Sequence, residues 1–128
     1  MTRWPAIRGS FVEFARRVAA SAMLLGVLAV PPSEAQKIEL LIQSVAELTH
    51  ARFIRNGSEY DAAAAADHLR LKLSHSGGRV KTAEDFIRYC GSTSSMTGQP
   101  YRIRYDDGRE VTSEAFLRAR LAEIESRK

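Results

Sequence analysis

The chain has 128 residues, which suits one domain and is too short for two full-sized ones. Its 19 Lys+Arg and 15 Asp+Glu give a net charge of +4 with histidine neutral. Because this charge is small and the chain has no basic run, the composition argues against nucleic acid as the main partner. A single cysteine excludes an internal disulfide, so the folded state has to be stabilised by packing.

The first 35 residues have the layout of a cleaved secretory signal peptide, Met1 to Ala35. Four arginines precede an uncharged, mostly apolar run of 13 residues, Val18 to Val30, and two prolines and a small-residue segment follow it. The run is short for a membrane span, which needs about 20 residues. We therefore expect a periplasmic or secreted protein with no stable membrane span after cleavage; the alternative is an uncleaved anchor.

Cleavage after Ala35 leaves residues 36–128 as a single domain. Removing the four arginines and two glutamates of residues 1–35 leaves 15 Lys+Arg and 13 Asp+Glu, a net charge of +2. A domain of this length can bury a core of modest size.

Apolar periodicity predicts a first helix over residues 36–49, followed by an extended segment at residues 52–56. Ser58 is expected to cap a second, alanine-rich helix that ends at Gly77 and Gly78. Because this helix has apolar residues on two faces, we expect it to lie at the centre of the domain.

Thr82 is expected to cap a third helix that buries Cys90 and ends at Gly91, before the polar loop 91–98. A β-hairpin follows, with Gly108 in a three-residue turn that places Ile103 opposite Val111 and an ion pair, Arg104 with Glu110, on the other face. Ser113 is expected to cap the last helix. The prediction is a small α+β domain with four helices and a C-terminal hairpin, to which residues 53–55 add a third strand.

Four segments in this order resemble the YfeK-like family of small exported proteins from Gram-negative bacteria: FIRNGSEY (53–60), HLRLKL (68–73), TAEDFI (82–87) and SSMTGQPY (94–101). The resemblance covers nearly all of residues 36–128. It implies a periplasmic protein of a family whose function is not established, and it carries no catalytic residues over to this chain.

The candidate binding residues fall in two segments and a strand. Arg55, Asn56, Gly57 and Ser58 precede the second helix, where free N–H groups and a positive charge can receive an anion such as a peptide carboxylate or an envelope phosphate. The competing interpretation is a turn and a helix cap that satisfy themselves. Ser94 and Ser95 in the polar loop, and Arg102 in the predicted strand, complete the set.

The sequence gives little evidence for a catalytic site or a metal site. Cys90 lies on an apolar stripe, where a thiol is usually inert. His68 and His75 are two helical turns apart, and no cluster of ligands completes a zinc site, so we expect neither metal nor cofactor. We expect a non-enzymatic domain that binds an envelope protein or a cell-wall component. The alternative is a small envelope hydrolase that uses the Ser/Thr-rich loop or Cys90.

Overall fold

The computed structural model describes residues 30–127, and the predicted signal peptide lies outside the described residues as far as position 29. The elements in chain order are α1 (Glu34–Ala46), β1 (Arg52–Arg55), β2 (Ser58–Tyr60), α2 (Ala62–Ser74), α3 (Ala83–Phe86), β3 (Arg102–Arg104), β4 (Glu110–Thr112) and α4 (Ser113–Ser126). A π-helical turn, Ile87–Gly91, continues α3. The α+β prediction is confirmed. Of the helices within residues 30–127, none is both long enough and apolar enough to cross a bilayer.

The four strands form one antiparallel sheet in the order β2-β1-β3-β4. Phe53 pairs with Ile103, which confirms the third strand. Both side chains are buried, whereas Arg52 and Arg102 next to them are exposed. The helices therefore cover one face of the sheet and leave the other in solvent.

The predicted register of the C-terminal hairpin is confirmed. Ile103 faces Val111 and Arg104 faces Glu110 across the two strands, and Gly108 adopts a φ of +86° in the turn. This left-handed conformation is open to glycine at little steric cost. The expected ion pair between Arg104 and Glu110 is wrong, because Arg104 pairs with Glu59.

The fourth strand, β2, corrects the prediction that a helix starts at Ser58. Asn56 and Gly57 both have positive φ, +52° and +81°, as in the two-residue turn of a tight hairpin. The chain therefore folds straight back, and Arg55 pairs with Ser58. Asp61 is the actual cap of α2, because its carboxylate accepts a hydrogen bond from the Ala64 N–H at 2.8 Å.

Helix α1, and not α2, lies at the centre of the packing. It contacts α2, α3 and α4, and Leu41, Ile42 and Val45 on it are almost fully buried. Of the two apolar faces predicted for α2, one packs against α1, and on the other His68 contacts Arg55 and Tyr101. Leu71 on that second face, and His75 just after the helix end, are exposed, so the second face is only partly covered. Its last residue is Ser74, three residues before Gly77, which begins a short 3-10 turn.

The start of α1 lies two residues before the predicted one. Ser33 Oγ accepts a hydrogen bond from the Gln36 N–H, and the Gln36 side chain accepts one from the Ser33 N–H, which together form a capping box. Glu34 binds the Lys37 ammonium at 2.8 Å and accepts from the Ala83 N–H at 3.0 Å. Residues 33–35 therefore belong to the folded domain.

Of the predicted caps of α3 and α4, the first is confirmed and the second is corrected. Thr82 caps α3 as predicted, in a capping box with Asp85. Thr112, and not Ser113, caps α4, since its hydroxyl accepts from the Ala115 N–H at 3.1 Å. Gly91 ends the π-helical turn at a point of close contact, where a Cβ would lie 2.5 Å from Leu117 Cδ1.

Candidate functional site

A cavity of about 150 Å³ lies between α2 and the hairpin formed by β1 and β2. Most of its wall is apolar, with Phe53, Ala65 and Leu69 among the residues that form it. The polar residues of the lining are Arg55, Tyr60, His68, Tyr101, Arg102 and Ser113. Arg102 is exposed between the buried Tyr101 and Ile103, so its charged group lies on the solvent side of the sheet. An apolar space with a few converging polar groups is the usual form of a small-ligand site.

Arg55 is the organising residue of this cavity. One terminal nitrogen, Nη1, lies 2.6 Å from Nδ1 and 2.9 Å from Nε2 of His68, and the other, Nη2, donates to the Tyr60 hydroxyl at 3.0 Å. The guanidinium carbon lies 4.8 Å from the centre of the Tyr60 ring. Because Arg55 can only donate, the ring nitrogen that it meets has to be an unprotonated acceptor.

The surroundings of His68 favour its neutral form over its protonated form. Burial, then the positive charges of Arg55 and Lys72, lower the pKa of His68 below its ordinary value. On its other side His68 Nε2 lies 3.2 Å from the Tyr101 hydroxyl, and the two rings meet edge to face. Lys72 donates to the same hydroxyl at 3.1 Å and to the Thr93 carbonyl at 3.0 Å.

The described wall of the cavity carries positive charge and no acid to balance it. None of its lining residues is Asp or Glu, and within residues 30–127 Arg55 forms no ion pair with a carboxylate. Lys72, which contacts the lining residue Tyr101, forms none in this range either. Arg55 also lowers the pKa of Tyr60, chiefly through its hydrogen bond to the phenol. The arrangement suits an anion better than a cation or a metal ion.

The polar loop meets the β1–β2 turn next to this cavity. Asn56 Nδ2 donates to Ser94 Oγ at 3.1 Å, and Thr97 Oγ1 donates to Asn56 Oδ1 at 2.6 Å. The Ser94 hydroxyl also accepts from the Met96 N–H, and its side chain is buried. These contacts hold the loop against the turn and give Asn56 and Ser94 a structural role.

The predicted binding residues are therefore brought partly together. Arg55 and Arg102 line the cavity, Asn56 and Ser94 join the loop to the turn, and Gly57, Ser58 and Ser95 are exposed. Arg55 lies on a strand and not beside a helix N-terminus, because α2 begins only at Ala62.

Sequence reasoning missed Tyr60, His68 and Tyr101 as members of one site. The available clue was the face of the second helix, which carried His68 on the same side as Tyr60. Tyr60 and His68 both contact Arg55, and Tyr101 joins the group through His68. This arrangement depends on the tight turn at Asn56-Gly57, where the sequence pattern favours a helix start.

Within residues 30–127, no histidine forms a hydrogen bond with the candidate nucleophiles Cys90, Ser94 and Ser95. Cys90 is buried, and burial raises the pKa of its thiol. Ser94 Oγ has no histidine among its hydrogen-bond partners in the described part of the chain. The His, Cys, Asp and Glu side chains of residues 30–127 form no group of three that could hold a metal ion.

The sequence of this chain matches a family of known proteins. Residues 32–125 match a family described as "Family of unknown function (DUF5329)". The chain belongs to this family. It is also 40% identical over 68 residues to a Salmonella typhimurium protein named "Uncharacterized protein YfeK".

That alignment covers 53% of this chain and 57% of the relative, so the chain spans little more than half the length of the curated protein that it matches. The comparison confirms the resemblance drawn from the four sequence segments. No solved structure matches the chain.

Proposed function

We propose that this member of the DUF5329 family is an exported domain of the bacterial cell envelope that binds a ligand or partner and carries out no reaction of its own. The observation that carries the proposal is the cavity beside α2, where the Arg55 guanidinium faces a mostly apolar wall and has no carboxylate partner within residues 30–127. A charge in such a place favours an anionic guest over an empty site.

Export is supported by the basic segment, apolar run and small residues that precede the domain. The binding role is supported by the shape of the cavity and by the chemistry of its polar groups. His68 is engaged by Arg55 and Tyr101, so in the described part of the chain neither of its ring nitrogens is directed at a serine or cysteine.

The test is native mass spectrometry of protein recovered from the periplasm of cells that produce it. We expect the protein in that fraction with an added mass, and we expect Arg55→Gln to lose the added mass. Arg52→Gln is the matched control, since Arg52 is on the same strand but on the exposed face of the sheet. Recovery of the protein in the cytoplasm, or an added mass that Arg55→Gln keeps, would contradict the proposal.

The alternative function, a small envelope hydrolase, is tested by a separate measurement. It requires a turnover of an envelope substrate that disappears in Ser94→Ala, Ser95→Ala or Cys90→Ala. We expect these three variants to bind as the unmodified protein does and to show no loss of a reproducible activity.

A further inference from the structure

The size of the cavity limits what can occupy it. A volume of about 150 Å³ is close to that of the engineered protein cavity that takes up one benzene molecule. A sugar ring with several hydroxyl groups fits poorly in such a space, because a mostly apolar wall cannot satisfy its hydroxyls. The body of the occupant is therefore a small aliphatic or aromatic group.

The charge at the cavity identifies the other part of the occupant. A guanidinium has five N–H donors, and Arg55 uses no more than three of them on His68 and Tyr60. At least two remain, which is what a carboxylate needs for a bidentate contact. A phosphate has more oxygens to satisfy, and the described lining residues offer no second free guanidinium on this side of the sheet, because Arg102 occupies an exposed position.

We propose that the cavity binds a monocarboxylate carried on a benzene-sized apolar body, with the carboxylate on Arg55 and the body against Phe53, Ala65 and Leu69. This rests on the proposed function and names its ligand class. The two alanines at positions 64 and 65 leave the space open, since a larger side chain at either would enter it.

Such a carboxylate has two sources: a free small acid, or the C-terminal residue of a peptide chain. Both present one carboxylate next to one apolar group. They differ in what lies beyond the cavity mouth at the exposed Ala64, where a peptide would continue into solvent.

Isothermal titration of the purified protein with benzoate and with benzyl alcohol tests the proposal, because the two probes differ in the charged group and share the ring. We expect saturable binding of benzoate, and binding of benzyl alcohol weaker by about tenfold or more, as for the loss of a charge-assisted contact. Arg55→Gln should weaken benzoate binding by a similar factor, and Arg52→Gln should leave it unchanged. Equal binding of the two probes, or no binding of benzoate, would overturn the carboxylate assignment.

Position 64 offers a second, independent pair of variants. Ala63 and Ala64 are both exposed on the first turn of α2, and only Ala64 lines the cavity. Ala64→Leu should block benzoate binding and Ala63→Leu should not, with the same circular dichroism and melting temperature for both. Undiminished binding to Ala64→Leu would place the benzoate elsewhere and overturn the assignment to this cavity.

A tripeptide ending in phenylalanine and the same peptide with an amidated end separate the two sources. Tighter binding of the free peptide than of benzoate, lost on amidation, identifies a chain end as the occupant; binding no tighter than that of benzoate identifies a small acid. If benzoate and the peptide both fail while the co-purified mass still depends on Arg55, the ligand class is wrong and the proposed binding function stands.

Discussion

Arg104 forms its ion pair with Glu59, two strands away, and not with Glu110, which faces Arg104 directly in the register of β3 and β4. The pair crosses β1 on the exposed face of the sheet and joins the edge strand β2 to β3. Arg104 also faces Arg52 in the adjacent strand, so the contact with Glu59 offsets a like-charge pair.

This relationship predicts opposite effects for two arginines. Arg104→Gln removes an ion pair whose partners are both well exposed, so the free energy of unfolding should fall by about 0.2–1 kcal/mol. Arg52→Gln removes the like charge opposite Arg104 and should leave stability unchanged or slightly higher. Urea denaturation at low and at high salt measures both, and the Arg104→Gln effect should shrink with salt. Equal losses in the two variants would contradict this account.

The hairpin turn at Asn56-Gly57 predicts a second effect on stability. Gly57 has a φ of +81°, so Gly57→Ala should lower the free energy of unfolding by about 1–2 kcal/mol. Gly78 has no such φ, and a Cβ added there would meet no atom within 4 Å, so Gly78→Ala should be neutral or slightly stabilising. Thermal unfolding of the two variants side by side tests this prediction. An unchanged stability of Gly57→Ala would mean that the turn accommodates alanine without cost.

The local parts of the fold could be predicted from the sequence, and the parts that depend on distant residues could not. The turn with Gly108 was predictable, because only one loop length places Ile103 opposite Val111. Strand β2 was not, since three residues are too few to show alternation and Ser58 has the chemistry of a helix cap. The partner of Arg104 depends on the order of strands, which no local pattern contains.

The same limit applies to the site. The sequence singles out Arg55, but for a reason that the structure does not support, namely a predicted position beside the N-terminus of the second helix. Its actual neighbour His68 lies 13 positions further along the chain, and Tyr101, which contacts His68, lies another 33 positions on. Their convergence follows from the sheet register and from the packing of α2, which sequence periodicity does not specify.

The environment of His68 predicts how stability depends on pH. Its pKa is lowered in the folded state from an ordinary value of 6.5, so the unfolded chain binds a proton more readily than the folded one. The contribution of neutral His68 to the free energy of unfolding is fully present above pH 6.5, and it is lost as the pH falls through the lowered folded-state pKa. Protonation would add a third positive charge beside Arg55 and Lys72.

We expect the melting temperature to fall with pH in that window, and we expect His68→Gln to flatten the fall. His75→Gln is the control, because His75 is exposed at the C-terminal end of the same helix. Thermal melts at closely spaced pH values measure the slopes. A slope that His75→Gln changes as much as His68→Gln would assign the effect to histidine content and not to this site.

Burial of Cys90 predicts an unreactive thiol. The side chain is 1% exposed, and burial raises its pKa, so the reactive thiolate is scarce at neutral pH. Iodoacetamide should label the native protein slowly and the denatured protein fully. The double variant Cys90→Ala, Ser95→Cys places a thiol on the exposed loop and should label rapidly. Rapid labelling of the native Cys90 would revive it as a nucleophile.

The first turn of α1 predicts a cost for cleavage after Ala35. A chain that begins at Gln36 lacks the Ser33 cap and the Glu34 contacts with Lys37 and Ala83. It should be less stable than a chain that begins at Val30, by about 1 kcal/mol for the cap alone. Chemical denaturation of the two forms measures the difference.

The family match begins at Pro32, also before Gln36. Val27 and Ala29 give the small-residue spacing of a cleavage site that leaves α1 intact. If the protein is exported as proposed, we therefore expect the intact mass of its mature form to match a start at Val30. A mass that starts at Gln36 would support the later site and show that the domain tolerates the loss of its cap.

The two edges of the sheet have a consequence for how the protein behaves at high concentration. Strands β2 and β4 are three residues long, and Glu59 and Glu110 add charge to them. Short, charged edge strands offer a neighbouring chain few free backbone groups to pair with, so they protect against aggregation. A chain with a single cysteine has no internal disulfide to close its fold, so it gains from such edges, since each copy can complete its own sheet before it recruits another.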